Sequence, residues 1–267
     1  MAKEEQARRA LLFGPDRFRM KNGEKREIVT VDEAGDGYYE HEFKGPNGWT
    51  RITCDTRVQT PKCCVRLGRS RTKTSRRNSV YAYTVVDCQK WTDRSGKERQ
   101  YEMKLFPAKF RTNDTIIRKR LELKEEGETW AGSIVIARRY GDDKSPSVGS
   151  EHERKRAVDL FEVFQVANYA GKPLSRMWDE AEADEKKMQA LKDLFQVEFD
   201  PESDGKRLLR KVVPFNYEKV LAPPPEDLLD EIIGFGPTGD STSSSEVSNG
   251  GGGAFDASDA DADDIPF

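Results

Sequence analysis

Four residues with metal-ligand chemistry fall close together in the sequence: His41, Cys54, Cys63 and Cys64. Twelve residues separate His41 from Cys54, and nine separate Cys54 from Cys64. Tetrahedral zinc takes imidazole and thiolate donors from two short hairpin-like segments, usually with a Cys-x2-Cys pair at one end. That pair is missing: one ending at Cys63 would start at Thr60, and one starting at Cys64 would end at Leu67. Two readings follow. Either the adjacent Cys63 and Cys64 both bind and zinc is the cofactor, or the loop is a metal-free remnant with reduced thiols.

A second group could hold a polyanion. From Lys62 to Ser79 the chain carries Lys62, Arg66, Arg69, Arg71, Lys73, Arg76 and Arg77 without an acid, in a Ser- and Thr-rich setting that reads as a loop. Arg51 and Lys104 lie on adjoining strand-like segments, and Trp49, Tyr81, Tyr83 and Trp91 flank the run. Single-stranded nucleic acid is held by such a combination, cations tracking phosphates and aromatic faces stacking on bases at about 1–3 kcal/mol each. The bland alternative is a solvated loop beside core tyrosines.

Signals for catalysis are weak, and the chain reads as a binding protein rather than an enzyme. No Gly-rich phosphate loop with Lys and Ser/Thr is present. His152 lies in the charged run Glu151-His152-Glu153-Arg154 and reads as a solvated turn. Asp87 and Glu102, on neighbouring strands, are the faintest hint of a metal-nuclease pair.

The elements that must position these groups are mostly short strands. Asn22-Gly23 and Gly35-Asp36-Gly37 are turn signals around the strand-like segments Arg17–Met20, Glu27–Val31 and Tyr38–Phe43. Trp49–Cys54 follows Gly45-Pro46-Asn47-Gly48. Val80–Cys88 is the clearest strand, with Tyr81, Tyr83 and Val85 on one face, and Tyr101–Phe106 is its expected hairpin partner. A helix capped at Asn113 or Asp114 should stop near Gly127. Trp130–Arg139 and Val158–Ala167 read as strands, and Ser175–Val197 as a helix with Met177, Ala181, Met188, Leu191 and Phe195 on its core edge. Pro223-Pro224-Pro225 reads as the end of the folded part, with one short helix at Glu226–Ile233. Residues 238–254 read as a Ser/Gly linker.

Charge is distributed unevenly. The 267 residues carry a net charge of −3, yet no Lys or Arg follows Lys219 while eleven acids lie from Glu226 to Asp264. The preceding chain holds 45 cations against 37 acids, a surplus of about eight. A basic body tethered to an acidic tail suggests a polyanion ligand with a built-in competitor. The tail ends on Asp263-Asp264-Ile265-Pro266-Phe267, an apolar hook on an acidic line. The amino terminus lacks the apolar run of a signal peptide, and no stretch approaches a membrane span. A cytoplasmic protein without membrane contact is expected, its four cysteines serving as thiols or ligands.

The ending Asp-Asp-Ile-Pro-Phe resembles the C-terminal tip of bacterial-type single-stranded DNA-binding proteins. Arg17-Phe18, Lys21, Gly23-Glu24 and Tyr39-Glu40-His41 with spaced cysteines resemble the single-stranded DNA-binding proteins of tailed phages. That resemblance implies a mainly β protein with helical elaborations, built on an oligonucleotide-binding (OB) Greek-key barrel. It implies an arm at 1–14, a DNA-binding domain at 15–225 with a basic loop or degenerate zinc ribbon at 41–79, and a linker and tail at 226–267. It also implies coating of single-stranded DNA in replication, recombination and repair, in the host cytoplasm. Polymerase, helicase, primase or nuclease partners would be recruited through Asp263, Asp264, Ile265, Pro266 and Phe267. The rival functions are a zinc-ribbon regulator that binds duplex DNA and a recombination enzyme or nuclease.

Overall fold

A computed structural model describes residues 14–45, 48–57, 59–69, 77–92, 96–140 and 150–233. The chain is mixed α/β, organised on one large sheet. Its strands are β1 (Lys25–Thr30), β2 (Asp36–Gly45), β3 (Gly48–Thr53), β4 (Arg77–Asp87), β7 (Glu102–Lys109), β8 (Ser133–Arg139), β9 (Ser150–Ala157), β10 (Asn168–Tyr169) and β11 (Lys172–Pro173). A two-stranded ribbon, β5 (Trp91–Thr92) with β6 (Glu98–Arg99), stands apart. The helices are α1 (Lys62–Arg69), α2 (Phe110–Glu125), α3 (Leu160–Val166), α4 (Leu174–Glu182), α5 (Glu185–Leu194), α6 (Tyr217–Val220) and α7 (Glu226–Ile233). None of them is long and apolar enough to cross a membrane.

The strand β4 is the hub. One edge pairs with β7 from Val80 to Asp87. The other edge is shared, Arg77–Ala82 pairing with β2 and Val85–Asp87 with β1. The sheet thus forks, the leading half of β4 carrying the β2–β3 hairpin and the trailing half carrying β1, β8 and β9. Val80–Asp87 is buried on both faces, which explains an apolar run with little polar alternation. On one face Tyr83 and Val85 meet Ile116 and Leu123 of α2 and the indole of Trp130. On the other, Ala82 and Val86 meet a helical layer built around Trp178, Phe195 and Phe215. Each such large side chain contributes about 1.5–3 kcal/mol by leaving water.

The run β7-β4-β1-β8-β9 curls enough to bring the His152 ring of β9 within 5.8 Å of the Phe106 ring of β7. α2 packs against both of those strands. Among the described residues β7 and β9 share no ladder, so the sheet is not a closed barrel.

Several local expectations change. Lys62–Arg69 is a helix, because Cys63 and Leu67, one turn apart, both bury against the β2–β3 hairpin. The segment read as a strand at Val158–Ala167 is helical from Leu160, capped by the Asp159 carboxylate accepting from Phe161 N at 2.8 Å. Asp159 was the stronger signal than the Val and Phe content. The helix expected across Ser175–Val197 is two, the second capped by Asp184. α2 begins at Phe110, three residues before its expected cap. Arg17–Met20 contributes a single bridge, from Arg17 to Leu105. His152 is buried on β9 rather than solvated, and burial pushes its pKa down to about 4. The folded chain continues past Pro225, since α7 packs on the β2–β3 hairpin and α1.

One buried carboxylate ties the helical layer to the sheet. Asp32 accepts hydrogen bonds from Thr84 N and from the Tyr217 hydroxyl at 3.0 Å, and Thr84 Oγ1 accepts from Phe215 N at 2.9 Å. Burial outweighs these donors and pushes the Asp32 pKa from 3.8 up to about 7. Between about pH 4 and 7 the folded chain therefore binds a proton that the unfolded chain has released, and stability falls as pH rises across that window. Asp32→Asn removes the charge to be desolvated. Its stability should exceed the parent's at pH 8 by on the order of 2–4 kcal/mol, and its melting temperature should vary less with pH. Superimposable pH profiles for the two proteins would contradict this.

Candidate metal centre

The β2–β3 hairpin sets the first ligand. By the two-residue period Tyr39, His41 and Phe43 share a face, and His41 pairs in register with Ile52. Cys54 follows β3 directly, its N–H donating to Tyr39 O at 2.8 Å. Pro61 opens α1, with Val65 N–H donating to its carbonyl at 3.2 Å, and the first turn presents Cys63 and Cys64.

These side chains converge. Cys54 Sγ lies 3.5 Å from Cys64 Sγ and 3.6 Å from Cys63 Sγ, and Cys64 Sγ lies 3.3 Å from His41 Nε2. All four ligand atoms lie within 4.8 Å of one another, and no other such cluster is found among the described residues. His41 Nδ1 is buried without a hydrogen-bond partner. The group could hold a metal ion, and both adjacent cysteines lie within it. Leu67, where a Cys-x2-Cys pair would have ended, is buried in the apolar floor with Phe43 and Ile52.

The thiols differ in acidity. Burial and the neighbouring cysteines raise Cys54 to about 12, and burial also raises Cys64. Burial would raise Cys63 too, but the His41 ring, the Asp55 backbone and Cys54 together bring it down to about 7. The hairpin's opposite face carries ion pairs, Arg17 with Glu40 at 2.7 Å and Arg51 with Glu42. Arg51 is thus engaged within the protein.

The other sequence candidates divide between the two ends of β4. At its start, the Arg77 guanidinium lies 4.5 Å over the ring of Tyr39, which is 38% exposed. Lys62 pairs with Glu226 of α7, and Arg66 Nη1 donates to Glu226 O at 3.4 Å. At the far end, about 30 Å along the strand, Lys104 Nζ sits 5.2 Å over the Trp91 ring. Lys104 also pairs with the buried Asp87 at 2.8 Å, as does Arg26. Asp87 and Glu102 do lie opposite each other, but Asp87 is held by those cations and Glu102 accepts from Gly171 N at 3.2 Å. Tyr81 is partly buried. Tyr83 is only 3% exposed, its hydroxyl donating to Asn113 Oδ1 at 2.7 Å, so its ring is core and offers no face to a base. Trp49 lies in β3 and Arg69 ends α1. Arg71, Lys73, Arg76 and the tip from Asp263 to Phe267 lie outside the described residues.

The sequence singles out neither the Tyr39–Arg77 contact nor the docking of the helix expected at Glu226–Ile233. Tyr39 was legible, two residues before His41 on the same face of a strand. The apolar contacts of α7 were not, because Leu229, Ile232 and Ile233 follow a triple proline and precede an acidic tail. No protein-family model matches the chain, and no curated protein is similar to it.

Proposed function

We propose that the chain binds single-stranded DNA without strong sequence preference, at the junction between its curled sheet and a zinc-bound Cys/His module. The observation that carries the reading is the juxtaposition at the start of β4. There the Tyr39–Arg77 stack and the cations of α1 adjoin the metal-ligand cluster. The strand order supports it. The chain runs β1, β4, β7, α2, β8, β9 and pairs as β7-β4-β1-β8-β9, an order we read as an OB-type barrel left open between β7 and β9. In this reading β2, β3 and α1 are an insert between the first two barrel strands.

Zinc is the ion the donors fit. Sulfurs around tetrahedral zinc, with Zn–S near 2.3 Å, stand about 3.8 Å apart; three contacts in the cluster run 3.3–3.6 Å and all four ligand atoms lie within 4.8 Å of one another, a spread that a bound ion can draw together. Zinc's part is structural, cross-linking the hairpin to α1. The acidic segment keeps the recruiting role implied by resemblance, with Asp263, Asp264, Ile265, Pro266 and Phe267 as the contact for replication and recombination proteins.

Changing Arg69, Arg71, Arg76 and Arg77 together to Ala tests the phosphate contacts. Affinity should fall for all single-stranded sequences alike, and the slope of log K against log salt should flatten by up to about 0.7 per lost contact. An unchanged slope would place the groove elsewhere.

A further inference from the structure

The Cys/His module is closed by a segment distant in sequence. Phe43, Ile52, Cys54, Cys63 and Leu67 form an apolar cluster that includes two of the candidate ligands. Its remaining buried members, Leu229, Ile232 and Ile233, all come from α7. The first residue of that helix is fixed from the other side, where Lys62 pairs with Glu226 and Arg66 donates to its carbonyl. Pro223–Pro225 precedes the helix, and Leu228 N–H donates to Pro225 O at 3.1 Å.

We propose that α7 is a metal-dependent latch: the zinc-folded module holds it, and it in turn covers the cysteines. This rests on the zinc reading above and goes beyond it. An eight-residue helix is too short to persist alone in water, so α7 needs its docking surface. That surface is two strands and one helix with few buried residues, a size at which a structural metal commonly supplies the missing folding free energy. Loss of the ion should therefore release α7 along with the acidic segment that follows it. Release would also remove Glu226 from Lys62 and Arg66, two cations of the proposed DNA surface. Conversely, Leu229, Ile232 and Ile233 of α7 belong to the same buried cluster as Cys54 and Cys63, so loosening the helix should expose the ion to competing ligands.

The test uses the full chain loaded with zinc and stripped by a chelator, followed by hydrogen exchange. Elemental analysis comes first. About one zinc per chain upholds the centre, whereas background metal would overturn the centre and the latch together. In the loaded protein the amides of 226–233 should be protected. Stripping should remove that protection and leave β8 protected. Equal protection of 226–233 in both forms would overturn the latch while leaving the centre intact. Ile232→Asp should keep its zinc yet transfer it to a chromophoric chelator at least tenfold faster. Deletion after Pro225 should give the same acceleration without adding a buried charge, and β8 protection would show that both variants are folded. Transfer rates unchanged in both variants would overturn the covering role.

Discussion

Cys54→Ser is expected to empty the metal centre and unfold the module that carries it. The sulfur of Cys54 is within 3.6 Å of both other thiols, so it is the common neighbour of the cluster. A serine hydroxyl stays protonated near neutral pH and is a poor ligand for an ion bound by thiolates. Removing it leaves three ligands and a polar group in an apolar pocket lined by Phe43, Ile52 and Leu67. Metal content should drop from about one zinc per chain to background. Affinity for oligo-dT should fall by at least tenfold, because the Tyr39–Arg77 stack and α1 lose their fixed relation. The rest of the sheet has its own two cores, so far-UV circular dichroism should change only modestly. Unchanged metal content would contradict the ligand assignment. Unchanged affinity in a metal-free variant would separate the ion from binding.

Tyr83→Ala should act on stability. The ring packs between Phe106, at 6.3 Å between centroids, and the backbone at Gly35, where a Cβ would come within 2.5 Å of it. Truncation leaves a large cavity at the centre of β4 and takes from Asn113 Oδ1 its Tyr83 donor. The loss should be about 3–5 kcal/mol, by analogy with buried aromatic truncations. Urea denaturation measures it directly. Where the variant remains folded, its affinity for single-stranded DNA should match the parent's. An undiminished urea midpoint with weaker DNA binding would mean that the ring meets bases after all.

The sequence carried the strands better than the surfaces they make. The two-residue period identified Val80–Cys88 as a strand and placed Tyr83 with Tyr81, but periodicity says nothing about which face is covered. Both faces of β4 are covered, one by α2 and one by helices more than seventy residues further along. The candidate ligand set was legible from residue type and spacing, with His41 on β2 and Cys54 directly after β3 of one hairpin. What spacing did not convey was the start of α1 at Lys62, which brings Cys63 and Cys64 to the same point as the hairpin ligands. His152 was misread because its neighbours are charged, although strand alternation places every second residue of such a run inside. α7 was recognised as a helix, but its docking rests on long-range apolar contacts that no local pattern encodes.

The most direct measurement is competition between single and double strands. Zinc-loaded protein is titrated with fluorescent poly-dT, with mixed-sequence single strand and with duplex of equal length, across a salt series. The two single strands should bind with affinities within a few fold of each other and at least tenfold tighter than the duplex, and binding should weaken steeply as salt rises. Tighter binding to one duplex than to any single strand would contradict the proposed function.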